Sequence, residues 1–399
     1  MDMLYISYDG AADPLGQAQI IPYIKELSKK NINFTLLTFE KKYYATVNRT
    51  NELREFFSRN NIKWVKLNYH KNPAIISTIF DITCGLVRSI ICVKRGKVTV
   101  VHARSYIGAL IAVILKMMFK TKFIFDMRGF WADERVEGKI WRRKGILYRI
   151  VKSLERVMIK NADEIIVLAQ AAKEIIKSWG YPINNVSVIP CCTDTDYFKP
   201  NMAFRSELRQ KHNLTDKFIF VHTGSLEYWY MKEAMIDYFK IAKEFIPEAH
   251  FLILSHSDKY KILKLIKERN LNPDDFTMLS VAFAQMPQYL AMADVGLIFI
   301  TPVFSKKASC PTKFAEYLSC ALPVIINDNI GDLEDYVLKN NIGAVVRDFS
   351  DDEYRQTFKK FLELLDDKEL KSRCRKAALD NFSLNIGVGR YLDIYSRLK

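Results

Sequence analysis

The amino-acid sequence predicts an α/β protein built from two doubly wound, Rossmann-like domains. Three observations lead there. Short β-branched and aromatic runs alternate with helical patterns along the whole chain, the signature of parallel sheets made of βαβ units. The alternation starts afresh after a polar, proline-bounded stretch at Pro190–Pro200, which reads as a linker. And 399 residues exceed a single core of ordinary size, about 150 residues per domain.

In chain order, the first half offers strand-like runs at Met3–Tyr8, Phe34–Phe39, Trp64–Asn68, Val98–His102, Phe123–Asp126, Ile165–Leu168 and Val186–Ile189. Helical patterns such as Gln19–Lys29 and Ala171–Trp179 lie between them. The second half continues with Phe218–His222, Phe251–Ser255, Phe276–Ser280, Val295–Ile300, Pro323–Ile326 and Ala344–Val346. The expected domains are 1–198 and 199–384. Ligands of open α/β sheets bind beyond the carboxyl ends of the strands, so two such domains facing each other would form a central cleft.

Composition excludes several classes. Hydrophobic residues at 49% and charged residues at 26% exclude a disordered chain. The formal charge is +15, of which +14 falls on residues 1–200 and +1 on residues 201–399. An excess confined to one half suggests an anionic partner for that half, a membrane surface or a polyanion, with solubility charge as the plain alternative. The seven cysteines form no C-x-x-C pair and suit a reducing cytoplasm. The start Met1-Asp2-Met3 lacks the basic and apolar regions of a signal peptide. Ile107–Phe119 is short for a span, and Ile75–Val93 is interrupted by Asp81 and Arg88. No transmembrane helix is therefore expected, with contact to one membrane face left open.

The most informative stretch is Ser309-Cys310-Pro311-Thr312-Lys313-Phe314-Ala315-Glu316-Tyr317-Leu318. Ser309 or Cys310 can cap a helix with Pro311 at its first position. The N–H groups of Thr312 and Lys313 would then form an anion site strengthened by the lysine charge. Glu316, one turn on, can accept the hydroxyls of a ribose. A capped helix with a solvated Glu is the competing reading.

This stretch, continued through Pro323-Val324-Ile325, resembles the signature of the GT-B glycosyltransferases of the retaining, group 1, family 4 type, which use nucleotide-diphosphate sugars. The resemblance extends over nearly the whole chain: Ile6–Gly10 with Pro14–Ala18, Ala162–Leu168, Val188–Asp194 and Phe220–Leu226 are each similar to family segments in the same order. It implies donor contacts from Gly16, Gly224, Ser225, Lys232, Pro311, Thr312, Lys313 and Glu316. It also implies that a final helix, about 385–399, returns to the first domain. Two positions depart from the family pattern: Ala308 stands where many members have a first Glu, and Ser225 where they have an Arg. Lys232, Lys306, Lys307 and Lys313 are candidate substitutes for that missing cation.

On the acceptor side, Phe125–Glu134 is dense in polar groups beside aromatics. By the resemblance, Asp126 stands near the position of a sugar-facing His, with Arg128 and His102 as further candidates for catalysis. Arg128 can bind a phosphate or carboxylate through two N–H groups. Arg104, Asp133 and Glu134 are candidates for acceptor contacts. A structural ion pair of Asp126 with Arg128 or Arg104 is the alternative. Asp194-Thr195-Asp196 spells D-x-D but reads as a capped turn, and no metal site or other cofactor is expected. Lys139–Lys160 holds eight Lys+Arg and one Glu with apolar residues at helical spacing. That is either a membrane-surface helix or a core-facing one with a basic back.

The expected activity is transfer of a hexosyl or N-acetylhexosaminyl group from a UDP- or GDP-sugar, with retention, to a lipid-linked or free saccharide acceptor. The expected setting is surface-polysaccharide assembly (capsule, O-antigen or exopolysaccharide), peripheral at the cytoplasmic side of a membrane. The +14 half meets that anionic surface, and nucleic acid is not an expected partner. A nucleotide-sugar epimerase or hydrolase, or a non-catalytic binding partner, are the alternatives.

Overall fold

The computed structural model describes all 399 residues. The strands are β1 (Asp2–Ser7), β2 (Asn33–Glu40), β3 (Lys63–Asn68), β4 (Val100–Arg104), β5 (Lys122–Asp126), β6 (Glu164–Val167) and β7 (Val186–Val188), then β8 (Phe218–Thr223), β9 (Ala249–Leu254), β10 (Phe276–Leu279), β11 (Val295–Ile298), β12 (Val324–Asn327) and β13 (Gly343–Val346). They form a seven-stranded sheet ordered β3-β2-β1-β4-β5-β6-β7 and a six-stranded sheet ordered β10-β9-β8-β11-β12-β13. Neighbouring strands run parallel, as in Tyr5 opposite Leu36 and His102, or Phe220 opposite Phe251. Helices cover both faces, so the strands read as continuous apolar runs rather than alternating ones. This is the two-sheet α/β fold that the sequence predicts.

In each sheet the strand order reverses beside the first strand, at β1/β4 and at β8/β11. Loops leaving the carboxyl ends of these strands part there and open a crevice. The donor-side candidates sit on such a loop or on a helix that follows one, while the acceptor-side ones lie at the ends of β4 and β5 and just after β5.

The chain divides into two compact units, Met1–Pro190 with Leu384–Lys399, and Cys191–Ser383. The division precedes the expected one at 198/199, and local hydrogen bonds explain why. Arg375 donates to the carbonyls of Thr195 and Phe198, and the Thr193 N–H donates to the Phe382 carbonyl. These bonds tie residues 193–198 to the second unit. Asp194 accepts from the N–H groups of Asp196 and Tyr197 through Oδ1, the capped turn expected for that D-x-D.

The final helix, Leu384–Arg397, packs on the Ile21–Ser28 helix of the first unit. Arg397 makes a two-pronged bond to Glu164 at 2.8 Å, and Arg390 donates to the Val188 carbonyl. The second unit centres on an aromatic cluster that includes Phe220, Tyr238, Phe239, Tyr354 and Phe358, all essentially without exposure.

Candidate functional site

In the second unit the Thr312–Ser319 helix carries the densest chemistry. Its cap residue is Pro311, in extended conformation at ψ 131°. The sequence reading put Pro311 one position inside the helix. The proline ring fixes φ near −65° in either case, and the turn into the helix is made by ψ. No side chain caps the start, so its first-turn N–H groups are the ones an anion would meet. Thr312 and Pro311 are half-buried there.

Lys313 points inward. Its Nζ lies 3.1 Å from His222 Nε2 and 3.6 Å from the centre of the Tyr230 ring. His222 donates from Nδ1 to the Leu297 carbonyl at 3.0 Å, which leaves Nε2 as the acceptor for Lys313. Burial, reinforced by the lysine charge, drives the His222 pKa well below its ordinary value. Burial likewise drives Lys313 well down, only partly offset by Glu316. Glu316 is pushed up to about 7 by burial, against the pull of Lys313 and with a further push from Cys191. Two opposite charges are thus drawn toward neutrality in a desolvated pocket.

Gly224 closes the pocket with φ +85°, and a Cβ there would lie 3.6 Å from Lys313 Nζ. The Gly224 N–H donates to the Leu254 carbonyl. Tyr317 ties the helix to β8: its hydroxyl accepts from the Thr223 N–H at 2.8 Å. Gly296 makes room for that ring, since a Cβ on it would sit 2.1 Å from Tyr317. Beside the Gly224 loop lies a cavity of about 250 Å³ at the ends of β9 and β10, lined by Ser255, His256, Ser257, Lys259 and Ser280 among others. Ser257 Oγ accepts from the Leu226 N–H at 3.0 Å, and His256 bonds Ser280. Sequence reasoning missed His222, Tyr230 and this cavity. His222 was legible only as the end of a strand.

Lys313, Glu316, Gly224 and the helix start are therefore brought together. Ser225 adjoins them, its hydroxyl accepting from the Glu227 N–H. Lys232 is not among them. It lines a separate groove of about 380 Å³ with Tyr228, Glu233 and Asp237, its Nζ 3.7 Å from Glu233. Lys306 stacks over Trp229 at 4.0 Å. Ala308 is buried in the short Phe304–Ala308 turn of helix.

In the first unit the acceptor candidates cluster at the ends of β4 and β5. Arg104 and Asp126 close their strands, and Ser105 and Arg128 follow with positive φ, 62° and 61°. Such backbone costs a non-glycine residue free energy and concentrates at functional positions. The charged groups stand apart: Arg104 to Asp126 and to Asp9 at 3.8 Å, Arg128 to Asp126 at 3.6 Å, His102 to Asp126 at 3.7 Å. Hydrogen-bonded ion pairs close to about 2.7–2.9 Å. Arg104 Nε and Nη1 and Asp126 Oδ1 have no hydrogen-bond partner although buried. Burial opposes charge on Asp126, yet Arg128, His102 and Arg104 hold its pKa at about 2. Burial lowers His102 despite Asp126.

His102 and Asp126 were expected to face substrate, but both have no exposure. The final helix seals them: Tyr395 bonds His102 Nδ1 at 2.9 Å and Tyr391 donates to Asp126 at 3.4 Å. Asp126 in turn faces His102, Arg104 and Arg128. Arg128 donates to Gln19 Oε1 at 3.4 Å. Asp133 is also committed elsewhere, accepting from the Tyr148 hydroxyl at 2.9 Å and Lys152 at 3.1 Å. Lys152 pairs in turn with the buried Glu155. Glu134 lies beside Gly129, half-buried. Gly16 is a packing residue, because a Cβ there would fall 2.1 Å from the Gly10 carbonyl oxygen.

Comparison with known proteins agrees with this architecture. The family model "Glycosyl transferases group 1" matches residues 204–380, and the model "Glycosyltransferase Family 4" matches residues 24–197. No curated protein matches by sequence. Among solved structures, the chain is similar to sucrose-phosphate synthase from Thermosynechococcus elongatus (TM-score 0.77, 14% identity, 100% of this chain and 99% of that one). It is similar to a glycosyltransferase from Rickettsia africae (0.74, 14%, 100% and 98%). It is also similar to Anabaena HepE solved with UDP and glucose (0.73, 13%, 99% of each). With one model matched to each half, the chain belongs to the group 1, family 4 glycosyltransferases of the GT-B fold.

Proposed function

We propose that this glycosyltransferase moves a hexosyl or N-acetylhexosaminyl group from a UDP- or GDP-sugar to a lipid-linked saccharide, with retention, in surface-polysaccharide assembly on the cytoplasmic side of a membrane. The observation that carries the donor half is the meeting of Lys313, Gly224 and an uncapped helix start at the strand reversal of the second sheet. A diphosphate placed there meets backbone N–H groups and a lysine. The cavity of about 250 Å³ beside Leu226 is the seat for the base. Glu316 takes the ribose hydroxyls. The UDP in the HepE structure supports the same donor class.

Chemistry then follows from charge. The empty pocket holds Lys313 toward its neutral form. An incoming diphosphate reverses that bias, so donor binding draws a proton onto Lys313, and the ammonium stabilises the charge on the departing diphosphate. The leaving phosphate accepts the proton of the acceptor hydroxyl on the same face of the sugar, which gives retention without a protein nucleophile. In the first unit, Arg104 supplies an incompletely bonded guanidinium group for an acceptor phosphate, with Arg128 on the other side of Asp126. No metal is invoked, so turnover in chelator is expected. The test is incubation with a panel of labelled UDP- and GDP-sugars and lipid-linked acceptors, followed by linkage analysis of the product. Donor consumption that is independent of any acceptor would replace transfer with hydrolysis or epimerisation, and lack of donor binding across the panel would overturn the reading.

A further inference from the structure

The Ala74–Gly96 helix is built inside out. The residues it buries are Ser77, Asp81, Gly85, Ser89, Cys92 and Val93, mostly small or polar. The residues it exposes include Ile75, Ile76, Ile79, Phe80 and Val87, each between 52 and 67% exposed. A helix of a water-soluble surface shows the opposite pattern, and an apolar strip of this length in water marks an interaction surface. We propose that this helix docks the first unit on an anionic lipid bilayer, lying in the interface with its axis along the membrane plane.

Three observations select that occupant. The first is charge. Asp81 is the sole acidic residue between His70 and Val101, and it is buried, whereas Arg88, Lys94, Arg95 and Lys97 are all exposed. The +14 carried by residues 1–200 opposes a second copy on the same face and favours anionic headgroups.

The second is anchorage. The helix has the length and mean hydropathy of a membrane span, but one side is fastened to the sheet. Asp81 accepts from the Tyr8 hydroxyl at 2.9 Å and the His70 N–H at 3.0 Å. Gly85 lets the helix approach Phe39 and Ile111 so closely that a Cβ would fall within 2.9 Å of both. A helix held in this way can lie on a bilayer but cannot cross it.

The third is continuity. The neighbouring Ser105–Phe119 helix exposes Met117 and Met118, and the Ile146–Asn161 helix beyond it exposes Ile146 and Ile150. The Ile146–Asn161 helix turns Glu155, Met158 and Ile159 inward, so its basic segment faces the core on one side while Ile146 and Ile150 extend the exposed apolar strip.

The inference deepens the lipid-linked reading above, and its experiment needs neither donor nor acceptor. Full-length protein is sedimented with vesicles of phosphatidylcholine, with and without phosphatidylglycerol. The expected result is binding to the phosphatidylglycerol vesicles, weakened by salt and reduced at least about tenfold in Ile76→Glu/Phe80→Glu and in Arg88→Glu/Lys94→Glu. All four positions are exposed, and thermal melting confirms that the variants fold. Undiminished binding by both variants, or no vesicle binding, overturns the proposal. So does a dimer in light scattering that Ile76→Glu/Phe80→Glu dissociates, which makes a second copy the occupant, or resistance to alkaline extraction, which makes the helix a span. Nucleotide binding measured on the same preparation separates failure of docking from failure of the donor reading.

Discussion

The two units bury charge in opposite ways. In Cys191–Ser383, Lys313 sits 3.1 Å from His222 and 3.6 Å from the Tyr230 ring centre, and the pocket moves lysine and glutamate toward neutral forms. In the first unit, Asp126 stands 3.6–3.8 Å from Arg128 and Arg104, and Nε and Nη1 of Arg104 are unbonded. A lysine can shed its proton to relieve burial, and an arginine cannot. On the proposed function, the Lys313 pocket is one whose charge is switched on by its ligand, whereas the charge of the arginine cluster is permanent.

The sharpest way to break this comparison is Lys313→Met, which keeps the stem over Tyr230 and removes the charge. It should lower kcat/KM by about 100- to 1000-fold, the range for losing one preorganised donor to a developing oxyanion. Calorimetry of donor binding in buffers of different ionisation enthalpy should also show proton uptake by the wild type and none by this variant. Uptake that persists in Lys313→Met would assign the switch to another group.

A smaller effect is expected from Arg104→Gln. It should cost about 10- to 100-fold in kcat/KM, entered through the acceptor KM, as for a lost charged hydrogen bond. Donor affinity should stay unchanged, and a change there would merge the two roles.

The third expected effect is on stability. A raised folded pKa on Glu316 contributes stability that is complete below about pH 4.5 and lost as pH rises through about 7. Relative to Glu316→Gln, the wild type should lose about 2–3 kcal/mol across that window in denaturant titrations. The Lys313 titration does not cancel in this difference, because Glu316 itself raises Lys313; repeating the comparison in the Lys313→Met background removes it. Glu316→Ala should in addition weaken donor binding by about 1–3 kcal/mol.

The smallest effect is Tyr395→Phe, which removes one buried hydrogen bond to His102 and should cost about 1 kcal/mol of stability. Turnover should change little. A collapse in turnover with stability intact would return His102 to the chemistry.

What could be read in the sequence was what local pattern encodes. The strands are short apolar runs that declare themselves within a few residues. Lys313 and Glu316 lie in a stretch whose spacing already implies a helix start, and Gly224 entered through the resemblance of Phe220–Leu226 to a family segment. The failures came from long range. His102 and Asp126 look accessible at the ends of their strands, and the groups that cover them stand 293 and 265 residues away. Lys232 followed the right loop but entered the neighbouring groove, a matter of side-chain direction that spacing does not carry. The outward apolar face of Ala74–Gly96 was hidden for a related reason. Periodicity shows that one stripe is apolar but not which stripe the sheet takes, and here Gly85 and Asp81 decide it.

The final helix also bears on the order in which the protein is made. The first unit owns residues at both extremes of the chain, so a nascent N-terminal half leaves the ribosome with His102 and Asp126 uncovered. At about 5–20 residues per second, the roughly 200 residues that precede Tyr391 and Tyr395 take about 10–40 s to synthesise. For that interval the His102 and Asp126 cluster, buried in the finished protein, lies open on an unfinished domain. Nascent chains halted before Tyr391 should thus be the protease-sensitive, chaperone-bound species in the life of this protein, and completion of the last helix is the step that ends it.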